Sequence, residues 1–152
     1  MEIPLWLQLN KVSRKYLDVL SRRLRHVGIS RHYFLIAAIG DGKGTLTQQE
    51  LADLLDTDKV SMVGILHYLA GAGFVRRTSS PADKRKRLIV LTAKAEKALP
   101  EIKKAIAELN GIALSGLPKR FAHLFPAALI HMKTELEKCA APGRPRGKRF
   151  KG

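Results

Sequence analysis

Between Gly73 and Thr92 the chain carries Arg76, Arg77, Lys84, Arg85, Lys86 and Arg87, with Asp83 as the lone acid among them. Guanidinium and ammonium groups at this density do electrostatic chemistry. They neutralise phosphate oxygens, and arginine adds forked hydrogen bonds. Apolar residues flank the cations: Gly73-Phe74-Val75 before them and Leu88-Ile89-Val90-Leu91-Thr92 after them. The stretch from Gly73 to Thr92 reads as two short strands joined by a basic tip. A narrow, mobile, positive tip suits a minor groove lined with phosphate charge.

Other chemistries find little support. His26, His32, His67, His123 and His131 show no metal-ligand spacing with cysteines or acids. There is no phosphate-cradling glycine loop and no nucleophile–base pattern, so neither an enzyme nor a cofactor is expected. The single Cys139 cannot form an internal disulfide, and a redox switch there is not favoured. Met1-Glu2-Ile3-Pro4-Leu5-Trp6 lacks a signal-peptide pattern, and no apolar run is long enough for a bilayer. A soluble, cytoplasmic, nucleoid-associated protein is the expectation. With 28 Lys+Arg against 13 Asp+Glu, the formal charge of +15 calls for a polyanionic partner. Nucleic acid is favoured; an anionic membrane surface or a ribosome would also meet it.

The elements that must hold the basic tip can be read from periodicity. Leu5, Leu9, Val12, Tyr16, Leu20, Leu24 and Val27 recur at steps of three and four, which predicts a helix from Pro4 to Val27, stopped by Gly28. Ser30 is the expected N-cap of a second helix, Arg31 to Ile39, whose Tyr33, Phe34, Leu35, Ile36 and Ile39 should be buried. A loop follows at Gly40-Asp41-Gly42-Lys43-Gly44. Thr47-Gln48-Gln49-Glu50 is a capping box opening a helix from Gln48 to Leu55. After Asp56-Thr57, either of which can cap, another helix runs from Asp58 to Ala72 with Val60, Val63, Leu66 and Leu69 inward. Two helices joined by so tight a turn form a helix-turn-helix. Thr92 then caps a long helix with a seam of Leu99, Ile102, Ile106, Leu109 and Ala113, bent at Pro100. Gly116 and Pro118 separate it from a last helix bearing Phe121, Phe125, Ala128, Met132 and Leu136. The fold class is therefore mainly α with a small β-hairpin wing: a winged helix-turn-helix plus a helical dimerisation domain. The division is 1–29 dimerisation helix, 30–92 winged helix-turn-helix, 93–141 dimerisation helices and 142–152 basic tail, expected to be disordered when free. The terminal helices have apolar faces broader than one small winged domain can cover, so a partner copy is expected.

Leu66-x-x-Leu69-x-x-x-Gly73-Phe74-Val75, then Pro81-x-Asp83-x-Arg85, then Leu91-Thr92, resembles the MarR family of bacterial winged-helix regulators, within it the SlyA-like branch. The resemblance runs from about Pro4 to Lys138. It implies an obligate homodimer knitted by the first and last two helices. Two-fold symmetry would set two recognition helices about 34 Å apart, on a pseudo-palindromic site in double-stranded DNA.

Within this frame the helix from Asp58 reads the major groove, with Lys59, Val60 and Ser61 best placed at base edges. Ser61 can donate or accept, and Val60 could pack on a thymine methyl. Ser61 also matches a DNA-contacting serine of SlyA-like proteins. Many relatives carry an arginine where this chain has Gly64. Either Gly64 permits close approach of DNA or a neighbouring helix, or it marks weakened base readout. In the wing, Arg85 is the expected minor-groove probe. The family pattern implies that Asp83 holds it by a charge-assisted hydrogen bond. Lys84, Lys86 and Arg87 would reach phosphates. Arg77 matches a common family arginine, either structural or phosphate-facing. Gln48 and Gln49 could donate to phosphate or be plain solvated residues.

Relatives often bind small aromatic carboxylates. Arg14, His32, Tyr33 and Phe34 would line such a crevice, although Tyr33 and Phe34 also read as ordinary core. Gly143-Arg144-Pro145-Arg146 is similar to an AT-hook core, but Pro142 replaces the usual first arginine. The function expected is a regulator acting at promoters, by occluding polymerase or by competing with other bound proteins. The rival is an architectural nucleoid-type protein with little sequence preference. A sensor acting by protein contact alone is disfavoured by the cationic wing.

Overall fold

The computed structural model describes residues 2–139. Its elements are α1 (Leu5–Arg23), a short 3-10 turn (Arg25–Val27), α2 (Tyr33–Asp41), α3 (Gln48–Leu54), α4 (Lys59–Gly71), β1 (Val75–Ser79), β2 (Arg87–Leu91), α5 (Ala93–Leu114) and α6 (Lys119–Cys139). One compact unit extends to Leu109 and a second begins at Asn110. The basic tail and its AT-hook-like residues lie outside the described residues. No described helix is long and apolar enough to cross a membrane.

The first unit has one core. Leu24, Leu35, Ile36, Ile39, Leu51, Met62, Leu69, Phe74, Ile89 and Ile102 are its largest fully buried side chains. They come from α2, α3, α4, β2 and α5 and from the chain just after α1 and just before β1, so the helix-turn-helix and the hairpin share a single packed interior. β1 and β2 pair antiparallel from Val75 opposite Leu91 to Ser79 opposite Arg87. Leu46 accepts from the Ile89 amide at 2.9 Å, and Thr47 pairs with Leu88. The segment just before α3 is therefore bridged to the edge of the two-stranded sheet.

Local chemistry explains the borders. Thr47 caps α3 with both halves of the capping box present. Gly28 (φ 96) and Gly73 (φ 78) turn the chain after α1 and α4 in the left-handed region that suits glycine. Thr92 accepts from the Ala95 amide at 3.3 Å to cap α5, while its hydroxyl donates to the Gly73 carbonyl at 2.6 Å. Pro100 lies inside α5 without ending it, and Pro126 does the same in α6.

Several expectations are corrected. Ser30 does not cap α2. That position belongs to His32, left-handed at φ 67 with no side-chain capping bond, and Ser30 instead bonds the Tyr68 hydroxyl through its amide at 3.0 Å. α2 begins at Tyr33 and continues to Asp41, into the expected glycine loop. Phe34 is 51% exposed, because α2 buries Tyr33, Leu35, Ile36 and Ile39 and must leave one side open. Asp58, not Asp56 or Thr57, caps α4. Val60 and Val63 face outward; Met62, Leu66 and Leu69 are the buried residues of that helix. A helix apolar on more than one side offers periodicity two answers, and packing selects one. In α1 only the later half of the expected apolar face is covered. Leu20 and Leu24 are buried, but Leu5, Leu9 and Val12 are exposed. α6 has no buried residue.

Candidate nucleic-acid interface

α4 presents its first turn to solvent. The Asp58 carboxylate accepts from the Ser61 amide at 2.8 Å and from the Ser61 hydroxyl at 2.7 Å. Those bonds, the hydroxyl's first, hold the Asp58 carboxyl below its usual range. The single Ser61 hydroxyl proton is thereby committed, leaving the oxygen as an acceptor. Lys59, Val60, Val63, Gly64 and His67 form the open side of the helix. A Cβ added at Gly64 would meet nothing within 4 Å. Close approach of another helix of this chain is thus no reason for the glycine. Gly64→Ala should stabilise the fold by about 1 kcal/mol, since alanine is the better helix former and has room here. Chemical denaturation checks this, and a loss of stability would contradict it.

The wing tip is a folded turn. Asp83 Oδ1 accepts from the Arg85 backbone amide at 2.9 Å, and the Asp83 carbonyl accepts from the Lys86 amide at 2.9 Å. The Lys86 carbonyl in turn accepts from the Ser80 amide at 2.9 Å. Asp83 thus shapes the backbone beneath Arg85; the bond runs to the amide where a bond to the guanidinium was expected. Lys84 and Arg85 are exposed, with no ion pair or side-chain hydrogen bond to other described residues. Arg87 donates to Ser79 Oγ at 2.9 Å across the hairpin. Lys86 is 3.6 Å from Glu50, so its charge is already partly answered.

Two residues placed apart in the sequence meet here. Arg77 Nη2 donates to Gln48 Oε1 at 2.9 Å, tying the first wing strand to the start of α3. Gln49 instead donates to Asp53 at 3.0 Å. Glu50 joins the same junction: it accepts from the Thr47 amide at 2.6 Å and the Thr47 hydroxyl at 2.7 Å while facing Lys86. These bonds, the amide's first, depress its carboxyl pKa. No local sequence signal marks this second role, because Lys86 is remote in the chain.

The two carboxyls give a pH dependence with a definite sign. Each is depressed in the folded state, so its contribution is present above its unfolded pKa and lost as pH falls through the folded one. Thermal stability should fall on acidification below about pH 5. Asp58→Asn, which keeps a capping oxygen, should flatten that decline in a melting series. An unchanged acid limb would remove Asp58 as a contributor.

Beside the interface lies a largely apolar crevice of about 490 Å³. His32, Tyr33 and Phe34 line it, together with Tyr16, Leu20 and Ile106. Arg14, expected there, is not in that lining; Arg31 is the cation at the wall, with no sequence signal of its own to mark it. Tyr33 donates to the Ile29 carbonyl at 2.5 Å, which satisfies its hydroxyl within the core. Burial, then the nearby Arg31 charge, lowers the His32 pKa, which favours the neutral ring. The Arg31 guanidinium lies 4.8 Å from the Tyr68 ring centre, and His32 meets that ring edge-on at 5.9 Å. The crevice wall therefore touches α4 directly. Among the described residues, no group of three or more His, Cys, Asp or Glu could hold a metal.

Residues 28–86 match the family model described as MarR family. The transcriptional regulator HosA of Escherichia coli O111:H- is 37% identical over 67 residues, which is 44% of this chain. That alignment spans 49% of HosA, about half its length. The structure of the transcriptional regulator SlyA is similar with a TM-score of 0.79 at 18% identity, over 90% of this chain and 96% of that one. The S. aureus MepR–DNA complex gives 0.80 at 18% identity, over 89% of this chain and 99% of that one. At such identity these likenesses speak for a shared winged-helix fold.

Proposed function

We propose that this chain is a MarR-type transcriptional regulator that binds promoter DNA as a homodimer, a reading supported by the match of residues 28–86 to the MarR family model. The observation that carries the proposal is the pairing of an exposed first turn on α4 with a wing tip whose Lys84 and Arg85 are unengaged among the described residues. One element suits a major groove and the other a minor groove, on a chain of formal charge +15. MepR, which shares the fold, has been captured on DNA. Lys59, Val60 and Ser61 would meet base edges. Arg85 would enter the minor groove, with Asp83 setting its turn. Lys84, Lys86 and Arg87 would meet phosphate, Lys86 by exchanging Glu50 for it. Arg77 and Gln48 would act as a pair that orients the wing.

Exposed apolar side chains support a two-fold assembly. Leu5, Leu9 and Val12 are spaced for one face of α1, and Phe121, Leu124 and Phe125 for one face of α6. We assign 1–29 and 93–141 to dimerisation, 30–92 to DNA binding and 142–152 to a basic tail. A second copy would cover both faces and set the spacing of a pseudo-palindromic site. The crevice at His32, Tyr33 and Phe34 would take a small aromatic anion, with Arg31 as its cation in place of Arg14. Its contact with Tyr68 gives an occupant a route to α4.

Sequencing genomic fragments retained by the purified protein at physiological salt tests this reading. A shared pseudo-palindrome is the expected result. Retention of A·T-rich DNA without a motif would replace it with the architectural reading, which the open Gly64 and the net charge favour. Failure to retain DNA would end both.

A further inference from the structure

The open face of α4 has an unusual chemistry for a surface that meets DNA. Val60 is 68% exposed and Val63 is 44% exposed. They stand one turn apart, and Gly64 beside them leaves empty space at its Cβ position. The core does not use these residues: Met62, Leu66 and Leu69 supply the buried side. The polar reader beside them is constrained, because the Ser61 hydroxyl proton is spent on Asp58 at 2.7 Å. The face is therefore apolar and poor in donors. Cations border it all the same: Lys59 on the same turn, and Arg76 and Arg77 on β1, which share with Val63 and His67 the lining of one crevice between helix and wing.

An apolar patch rimmed by positive charge fits a polyanion that itself carries methyl groups. Among the base edges in a major groove, only thymine presents one, its C5-methyl. Uracil lacks it. We infer that Val60 and Val63 specify thymine by packing on C5-methyl groups, and that Gly64 gives the bases room to reach them. This inference rests on the DNA-binding reading above and adds the identity of the readers and of the group they read. Selectivity would come from apolar burial on methyls in place of forked arginine bonds to guanine. Each methyl removed from the site should weaken binding by roughly fourfold, the worth of one buried methylene-sized group.

The test uses the full chain and a duplex recovered by it from a randomised library. That duplex is made again with deoxyuridine at every thymidine, which deletes the methyls and keeps Watson–Crick pairing. Binding of the wild type should weaken by about tenfold or more on the uracil duplex, as two or more packed methyls predict. The double variant Val60→Ser, Val63→Ser, which replaces both apolar surfaces with polar ones, should bind both duplexes alike. Both side chains are exposed, so its melting curve should match the wild type, which separates weaker packing on the bases from unfolding. Equal wild-type affinity for the two duplexes would overturn the methyl inference and leave the DNA-binding reading standing. Discrimination that persists in the double variant would also overturn it, assigning the effect to DNA shape. Recovery of no duplex at all would remove the DNA-binding reading itself.

Discussion

Arg85→Ala is expected to lower affinity for the selected DNA by about tenfold to a hundredfold, the range for removing one strong arginine interaction. The structure makes the substitution clean. The Arg85 side chain is exposed, with no ion pair to other described residues, so little folding energy is at stake. Its backbone amide stays on Asp83 at 2.9 Å whatever the side chain is, so the turn survives. Titrations at several salt concentrations should also give a shallower slope of log K against log salt, by about one for each phosphate no longer neutralised. Lys84→Ala serves as the comparison. A residue that meets phosphate alone should change the salt slope without changing preference among sequences. Unchanged affinity in Arg85→Ala would end the assignment of the wing probe.

Phe74→Ala should cost about 3–5 kcal/mol of stability, the range for emptying a buried aromatic site. Phe74 is 0% exposed. Its amide donates to the Leu69 carbonyl at 2.9 Å and its carbonyl accepts from the Thr92 amide at 3.0 Å. It therefore sits where α4 ends, the wing begins and α5 departs. Lys94 Nζ lies 4.8 Å from its ring centre and covers that junction from the outside. Domains of ordinary stability hold only about 5–15 kcal/mol, so the variant should lose much of its margin. Urea denaturation would show the fall in midpoint, and DNA binding should fail at temperatures where the wild type still binds. Phe74→Leu keeps most of the volume and should cost roughly half as much or less. A loss under about 1 kcal/mol for alanine would mean that the site collapses around the gap.

Much of the architecture was legible residue by residue. Thr47 with Glu50, Thr92 before a long helix, Gly28 and Gly73 at helix ends, and a hairpin of two short strands with a basic tip all behave as their types and spacing predict. These devices act over about four residues, so a chain read in order contains both halves of each. The cap of α4 was less legible. Asp56, Thr57 and Asp58 all have capping chemistry, and Asp58 serves because its carboxylate reaches Ser61.

What tertiary structure alone decided is which of several chemically equal options is taken. Val60, Val63, Met62 and Leu66 are all apolar, and only the packing of α4 against the core turned the two valines outward. Ser30 could have capped α2, but its hydroxyl and its amide both meet the hydroxyl of Tyr68, far along the chain. Lys86 read as a phosphate contact and Arg77 as either structural or phosphate-facing; the fold brought Glu50 beside one and Gln48 beside the other. Arg31, next in sequence to His32, became the cation of the crevice while Arg14 lay outside it. The sequence by itself determined the elements, the caps of α3 and α5, the order of helix-turn-helix and wing, and the excess of positive charge. Side-chain partners remote in sequence were chosen by packing, because burial of one face settles the direction of every other residue on the same element.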